Sequence, residues 1–221
     1  FMKWSMMNYI KLLFSNNSVL RNLQNEEFKK HKVNGNSLEF GANYKIDRNF
    51  LNIQSKSCKV FYSNIDNNNK SFIKINLVKK LLHKKKYENI IIFNVLEHIS
   101  EIEIAIMNLN LLLVPKGKII GSTPFIYRIH GAPDDYNRFT KTQLQRILKK
   151  GNFKNIKIHE LGLGPFLACF SLLRGVIKYL PIVYQLLMIL VILLDKFLIF
   201  MMKTNPKKVY PIGYVFTANK K

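Results

Sequence analysis

Cysteine is almost absent from this sequence: Cys58 and Cys169 stand alone in 221 residues. Two thiols cannot build a disulfide framework, and their spacing excludes a cysteine-based zinc site. Acidic residues are also scarce, 13 against 35 basic ones, which leaves a formal charge of +22. Arginine is rare within that basic set, confined to Arg21, Arg48, Arg128, Arg138, Arg146 and Arg174. Nucleic-acid readers favour arginine for bidentate contacts. The lysine-rich charge therefore argues against a nucleic-acid partner. It fits a solvated surface, for which an AT-rich coding bias is enough, or contact with an anionic membrane. No secretory signal stands at the start. The opening FMKWSMMNYIKLLF is followed by no small-residue cleavage pattern and reads as an amphipathic helix capping the core. The start at Phe1 itself suggests a truncated or reassigned beginning.

What is present is enough for a full core, since 48% of the chain is apolar. Residues 1–34 read as helical, with Trp4, Met7, Ile10 and Phe14 at helix-like spacing. Strands are expected at NSLEFGAN (36–43), KVFYSNID (59–66) and the alternating SFIKINL (71–77). The unbroken apolar run NIIIFNVLEH (89–98) predicts a strand buried on both faces. KGKIIGSTPF (116–125), FKNIKIHEL (153–161) and YPIGYVFTANKK (210–221) complete the set. Helices are expected over 101–113, ending at Pro115 and Gly117, and over 140–153, with Thr140 as N-cap and Gly151 past the end. Strands alternating with helices predict an α/β fold with a mostly parallel, seven-stranded sheet covered by helices on both faces.

Segment 161–202 breaks that rhythm. Between Leu180 and Leu194 the plainly polar residue is Gln185, and Asp195–Lys196 interrupts the continuation. Such a run is shorter than the ~20 residues needed to span a bilayer. A hydrophobic helical hairpin at a membrane surface, a buried cap or dimer interface, and a spanning helix all stay open. The chain thus divides into an N-terminal helical cap (1–35), a core (36–161), a hydrophobic helical insertion (162–203) and a last strand (204–221).

In parallel sheets ligands sit outside the carboxyl ends of the strands. Glu39, Gly41, Asp66, Asn76, Glu97, His98 and the stretch from Pro124 to His130 all fall there. A glycine at position 41 lets a ligand approach the backbone closely. Asp66 can accept two hydrogen bonds from a ribose diol, or it begins the turn at Asn67–Asn69.

The stretch from Ile90 to Leu161 carries FNVLEHI, LLLVPKGKIIGSTPF, HGAPDDYNRFT and LKKGNF in order. This series resembles the class I S-adenosylmethionine-dependent methyltransferases, in particular the type 11 group met among bacterial cell-surface polysaccharide genes. The resemblance covers roughly 36–161 and 210–221. It implies a Rossmann-like fold and S-adenosylmethionine as cofactor. It further implies that Glu39, Gly41, Asn43, Asp66, Asn76, Leu77, Asn94 and Val95 line the cofactor. Asp135 (or Asp134), Tyr136 and Arg138 would then form the acceptor side. Departures are Asn43 where a glycine is usual, Asn76 in place of an acid, and Lys116-Gly117 in place of Gly-Gly. The (D/N)-P-P-(Y/F) motif of amino-directed nucleic-acid methyltransferases is absent; the corresponding stretch reads STPF.

Methyl transfer from a sulfonium requires alignment, not a metal. A hydroxyl acceptor also needs a base, for which His130 is the first candidate and His98 the second. Either histidine could instead pin the local structure, and Asp135 and Arg138 could pair with each other. The expected acceptor is a small molecule, a glycan or a lipid-linked glycan, or a hydrophobic metabolite such as a quinone precursor. Peripheral membrane contact through 165–202 would place the protein in the cytoplasm, at the inner face of the membrane. The alternative is a non-catalytic methyltransferase-fold protein acting as a membrane-associated binding module.

Overall fold

The structure is a computed structural model that describes residues 13–15, 17–42, 57–65, 71–131, 134–202 and 205–221. Trp4, Met7, Ile10, Asn43, Asp66 and Pro133 lie outside the described residues. The chain falls into two compact units. One takes Phe28–Thr123, Ile129–His159 and Val215–Lys221; the other takes Phe1–Glu27, Pro124–Arg128 and Glu160–Tyr214.

Among the described residues there are six strands, not the expected seven. They are β1 (Asn36–Phe40), β2 (Lys59–Ser63), β3 (Tyr87–Phe93), β4 (Leu113–Pro124), β5 (Phe153–Leu161) and β6 (Gly213–Lys220). They form one sheet of order β2-β1-β3-β4-β6-β5. The pairs β1/β2, β1/β3 and β3/β4 are parallel, with Leu38 opposite Ile90 and Ile91 opposite Ile120. Consecutive burial of Ile90, Ile91 and Ile92 shows that both faces of β3 are covered. Each such side chain contributes about 1.5–3 kcal/mol of transfer free energy.

The missing strand is 71–77, which makes a single parallel bridge between Ser63 and Ile73. Two side chains draw the backbone out of a ladder there. Asn76 Oδ1 accepts from Val78 N at 3.0 Å, a local turn, and Leu77 O accepts from Asn108 Nδ2 at 2.7 Å. The run 89–98 also divides. Its strand ends at Phe93 because Asn94 takes a left-handed φ of 52°, and Leu96–His98 turn as a 3-10 helix. Asparagine tolerates that conformation better than a branched residue.

Helix α1 spans Val19–Phe28, and α2 spans Ile102–Leu112. Helix α2 forms despite its isoleucines because Ala105, Ile106, Leu109 and Leu112 recur on one face and are fully buried. Helix α3 (Lys141–Lys150) begins where Thr140 accepts from Gln143 N at 3.2 Å and ends at Gly151, as its sequence predicts.

The second unit carries two apolar helices, α4 (Pro165–Ile177) and α5 (Pro181–Met202). The expectation that Asp195–Lys196 interrupts the second of these is overturned: α5 runs through both, over 22 residues. Asp195 is fully buried, and its carboxylate accepts from Phe166 N at 3.0 Å and Leu167 N at 2.9 Å. It therefore caps the N-terminus of α4 from the neighbouring helix, where the end of the helix dipole is positive. Gly164 makes room for this, since a Cβ there would run into the Asp195 carboxylate. Burial raises the Asp195 pKa, against the downward pull of the Leu167, Phe166 and Gly164 amides. Helix α5 is long and apolar enough to cross a membrane.

Candidate active site

The order β2-β1-β3-β4 reverses direction between β1 and β3, and a crevice opens outside their carboxyl ends at such a switch point. Glu39 and Gly41 stand at the end of β1, Asn94 and Val95 at the end of β3. Gly41 has φ 71°, and its amide donates to Ser63 O at 3.0 Å. A Cβ on Gly41 would come within 2.6 Å of Val95 Cγ2. Glycine at 41 is therefore required for β1 and the Val95 side chain to pack this closely. Asn64 Nδ2 donates to Ala42 O at 2.8 Å and braces the same turn. Asn94 is tied to β4 by its amide, which donates to Ser122 O at 3.0 Å, and by Ser122 Oγ, which donates to Asn94 Oδ1 at 3.3 Å.

Three residues on, the 3-10 turn presents Glu97 and His98, and the 130–138 loop lies against it. Tyr136 N and Asn137 N donate to Glu97 O at 2.8 and 3.1 Å, and Asn137 Nδ2 donates to Ile99 O at 2.7 Å. His98 Nδ1 lies 2.5 Å from Asp134 O. A carbonyl only accepts, so Nδ1 carries a proton. His98 Nε2 is 3.9 Å from Glu97 Oε1, whose side chain is fully buried. The His130 and His98 rings meet edge to face at 5.0 Å.

Asp135 organises the loop. Its Oδ1 is bound by Arg138 Nη1, and its Oδ2 accepts from Arg138 Nη2 at 2.6 Å and from His130 N at 2.9 Å. The Arg138 bonds above all, with the His130 amide, hold the Asp135 carboxyl far below the usual carboxylate range. The same pair raises the Arg138 pKa. His130 Nδ1 lies 3.3 Å from Asp135 Oδ2, a charge contact rather than a hydrogen bond. Tyr136 is exposed, and its hydroxyl donates to Asp134 Oδ2 at 3.0 Å, raising its pKa.

The structure thus brings together Glu39, Gly41, Asn94 and Val95 in one corner, and His98, His130, Asp135, Tyr136 and Arg138 in one loop cluster. Of the alternatives open for Arg138, the local pair with Asp135 is the one formed. Asn76 and Leu77 are engaged by Val78 and Asn108 as described above. Asn43 and Asp66 fall outside the described residues. Sequence reading passed over Asn64, Ser122 and Asn137, polar residues whose partners only the strand register and loop path reveal. Glu97, His98 and His130 each bring one donor atom within 4.8 Å of the others, a set that could also hold a cation.

No family model and no curated protein matches the sequence. Solved structures do match by shape. One is phosphoethanolamine N-methyltransferase 2 of Haemonchus contortus, in complex with phosphomonomethylethanolamine and S-adenosylhomocysteine. It is 13% identical, with a TM-score of 0.53 over 96% of this chain and 56% of that one. This chain therefore spans little more than half the length of that protein. A second is the 1,6-didemethyltoxoflavin-N1-methyltransferase of Burkholderia thailandensis, 12% identical, with a TM-score of 0.53 over 93% and 80% of the two chains. The fold is that of the class I S-adenosylmethionine-dependent methyltransferases. The [4+2]-cyclase SpnF matches as well, 11% identical with a TM-score of 0.55 over 97% and 93%. The methyltransferase fold therefore hosts more than one reaction, and activity must be argued from the site.

Proposed function

We propose that this protein is an S-adenosylmethionine-dependent methyltransferase acting on a small-molecule, glycan or lipid-linked acceptor, in cell-envelope polysaccharide biosynthesis at the inner face of a membrane. The observation that carries the reading is the glycine turn at the end of β1, where Gly41 has φ 71° and its bare backbone lies against Val95 at the end of β3. It stands at the switch point, a few residues from a histidine pair. A cofactor lying along the carboxyl ends of β1 and β3 would have Glu39, Gly41, Asn94 and Val95 beside it; Asp66 is the residue we assign to its ribose from the sequence alone. The cofactor supplies a methyl group already activated on a sulfonium.

The chain's own residues supply position and proton transfer. His130 takes the acceptor proton, and the charge of Asp135, 3.3 Å from Nδ1, stabilises the imidazolium that forms. His98 faces His130 and shares the acceptor mouth. Arg138 keeps Asp135 ionised. The apolar α4–α5 hairpin and the basic surface support a membrane-linked acceptor.

A non-catalytic binding module is the second reading. Asn76 favours it, because its side-chain oxygen turns back to Val78 N. Calorimetric titration with S-adenosylmethionine and S-adenosylhomocysteine separates the two, with Asp66→Ala as control. Micromolar binding that the variant loses supports the enzyme. Absence of binding by the folded protein discards it.

A further inference from the structure

Helix α5 buries one narrow stripe, Tyr184, Met188, Ile192 and Asp195, at spacings of one turn. Much of the remaining circumference is apolar and exposed: Ile182, Leu186, Leu193 and Phe200 are each more than half exposed. Val176 and Tyr179, at the turn from α4, are about three-quarters exposed. Exposed apolar surface on this scale marks an interaction site rather than an ordinary solvated face.

At that turn lies a cavity of about 330 Å³, lined among others by Ser15, Arg174, Lys178, Pro181, Tyr184 and Gln185. Arg174 and Lys178 are four residues apart on α4 and its C-terminal extension, so they share a face. The Tyr184 hydroxyl and the Arg174 guanidinium interact, and both residues line the cavity. Among the described residues the lining contains no carboxylate. A guanidinium, an ammonium, a hydroxyl and an amide around one hollow are the donors a phosphate oxygen requires. Next in sequence to these lining residues stand the exposed apolar side chains of Val176, Tyr179, Leu180, Ile182 and Leu186.

We infer that this cavity seats the phosphate of an anionic phospholipid, with α4 and α5 lying in the lipid surface around it. Polar donors next to exposed apolar side chains match an amphiphile with a phosphate head, and the chain's charge of +22 matches an anionic surface. The inference rests on the membrane-face part of the proposed function and adds the ligand that selects the surface.

The test is flotation of the full chain with vesicles of phosphatidylcholine alone, and with vesicles in which a third is phosphatidylglycerol. The unaltered protein is expected to prefer the phosphatidylglycerol vesicles. The double variant Arg174→Gln/Lys178→Gln is expected to lose roughly thirtyfold of that preference. Its circular dichroism should be unchanged and its residual binding to neutral vesicles retained. Equal flotation with both vesicles overturns the headgroup site and leaves the membrane-face reading standing. Flotation with neither overturns both. A dimer on gel filtration that ignores lipid gives the apolar face to a second copy. Release by millimolar glycerol phosphate makes the cavity a free-phosphate site and overturns the lipid assignment. Variants Lys149→Gln and Lys154→Gln, on exposed positions of the other unit, control for general loss of charge.

Discussion

Gly41 and Val95 meet across the crevice between β1 and β3 so closely that a Cβ on Gly41 would stand 2.6 Å from Val95 Cγ2. Gly41 also holds φ at 71°, where a side chain costs about 1–2 kcal/mol. Gly41→Ala is therefore expected to weaken S-adenosylmethionine binding by about tenfold or more, with the far-ultraviolet spectrum intact. Calorimetry measures this directly. Unchanged affinity would show that the cofactor does not lie at this corner.

Asp135 anchors the 130–138 loop through Arg138 and the His130 amide. Asp135→Asn removes the charge that those donors face. Hydrogen bonds to charged groups contribute ~1.5–3 kcal/mol, so a melting point lower by roughly 5 °C is expected at pH 7. The Asp135 pKa is lower in the folded protein than in the unfolded chain, so its contribution is complete above the unfolded value of ~3.9. It fades as pH falls through the folded value. The gap between wild type and variant should accordingly shrink below about pH 4. A gap independent of pH would mean that the charge of Asp135 is not what holds the loop.

His130 and His98 differ in their surroundings: His130 Nδ1 stands 3.3 Å from the Asp135 carboxylate, whereas His98 Nδ1 donates to the Asp134 carbonyl. His130→Ala is expected to lower methyl transfer to extracted lipid or glycan by about 10²–10⁴-fold while leaving cofactor affinity intact. It should also abolish the acid limb of the rate profile. His98→Ala should cost less and keep that limb. The reverse order would make His98 the base.

Asp195 is a buried carboxylate acting as a helix cap. Asp195→Ala loses the cap, about 1 kcal/mol, and leaves two buried amides without an acceptor, at a further ~1–3 kcal/mol. Asp195→Asn keeps one acceptor oxygen and avoids burying a charge, so it should cost clearly less. Burial raises the Asp195 pKa, so its contribution to stability grows on acidification and is lost as pH rises through the folded value. That sign is opposite to Asp135. Denaturant unfolding of both variants at pH 4 and pH 7 checks it, and equal destabilisation by Ala and Asn would refute the cap.

Most elements of this fold could be read along the chain. The strand FKNIKIHEL matches β5 in full, and Thr140 and Gly151 bracket α3 as expected. These features are local: alternation, capping oxygens and a glycine turn act within a few residues. The segment 71–77 misled because its alternation was real while its backbone partners were not local. Asn108, from another element, takes the Leu77 carbonyl. Asp195 misled in the same way. In hydropathy it interrupts a helix, whereas in space it completes the start of another.

The site divides along the same line. Gly41, Asn94, His98 and His130 could be named from motif order, because each sits at a strand end or turn that the pattern announces. That Gly41 faces Val95, that Asp135 holds Arg138, and that Ser122 ties Asn94 could not. Sequence alone determined the α/β class, the carboxyl-end placement of polar residues and the apolar character of the hairpin, since these follow from residue type and short-range spacing. Only the tertiary structure decided which of those residues touch. Contacts between distant positions depend on strand register and crossing helices, and a carboxylate's role is set by whichever donors the fold brings to it.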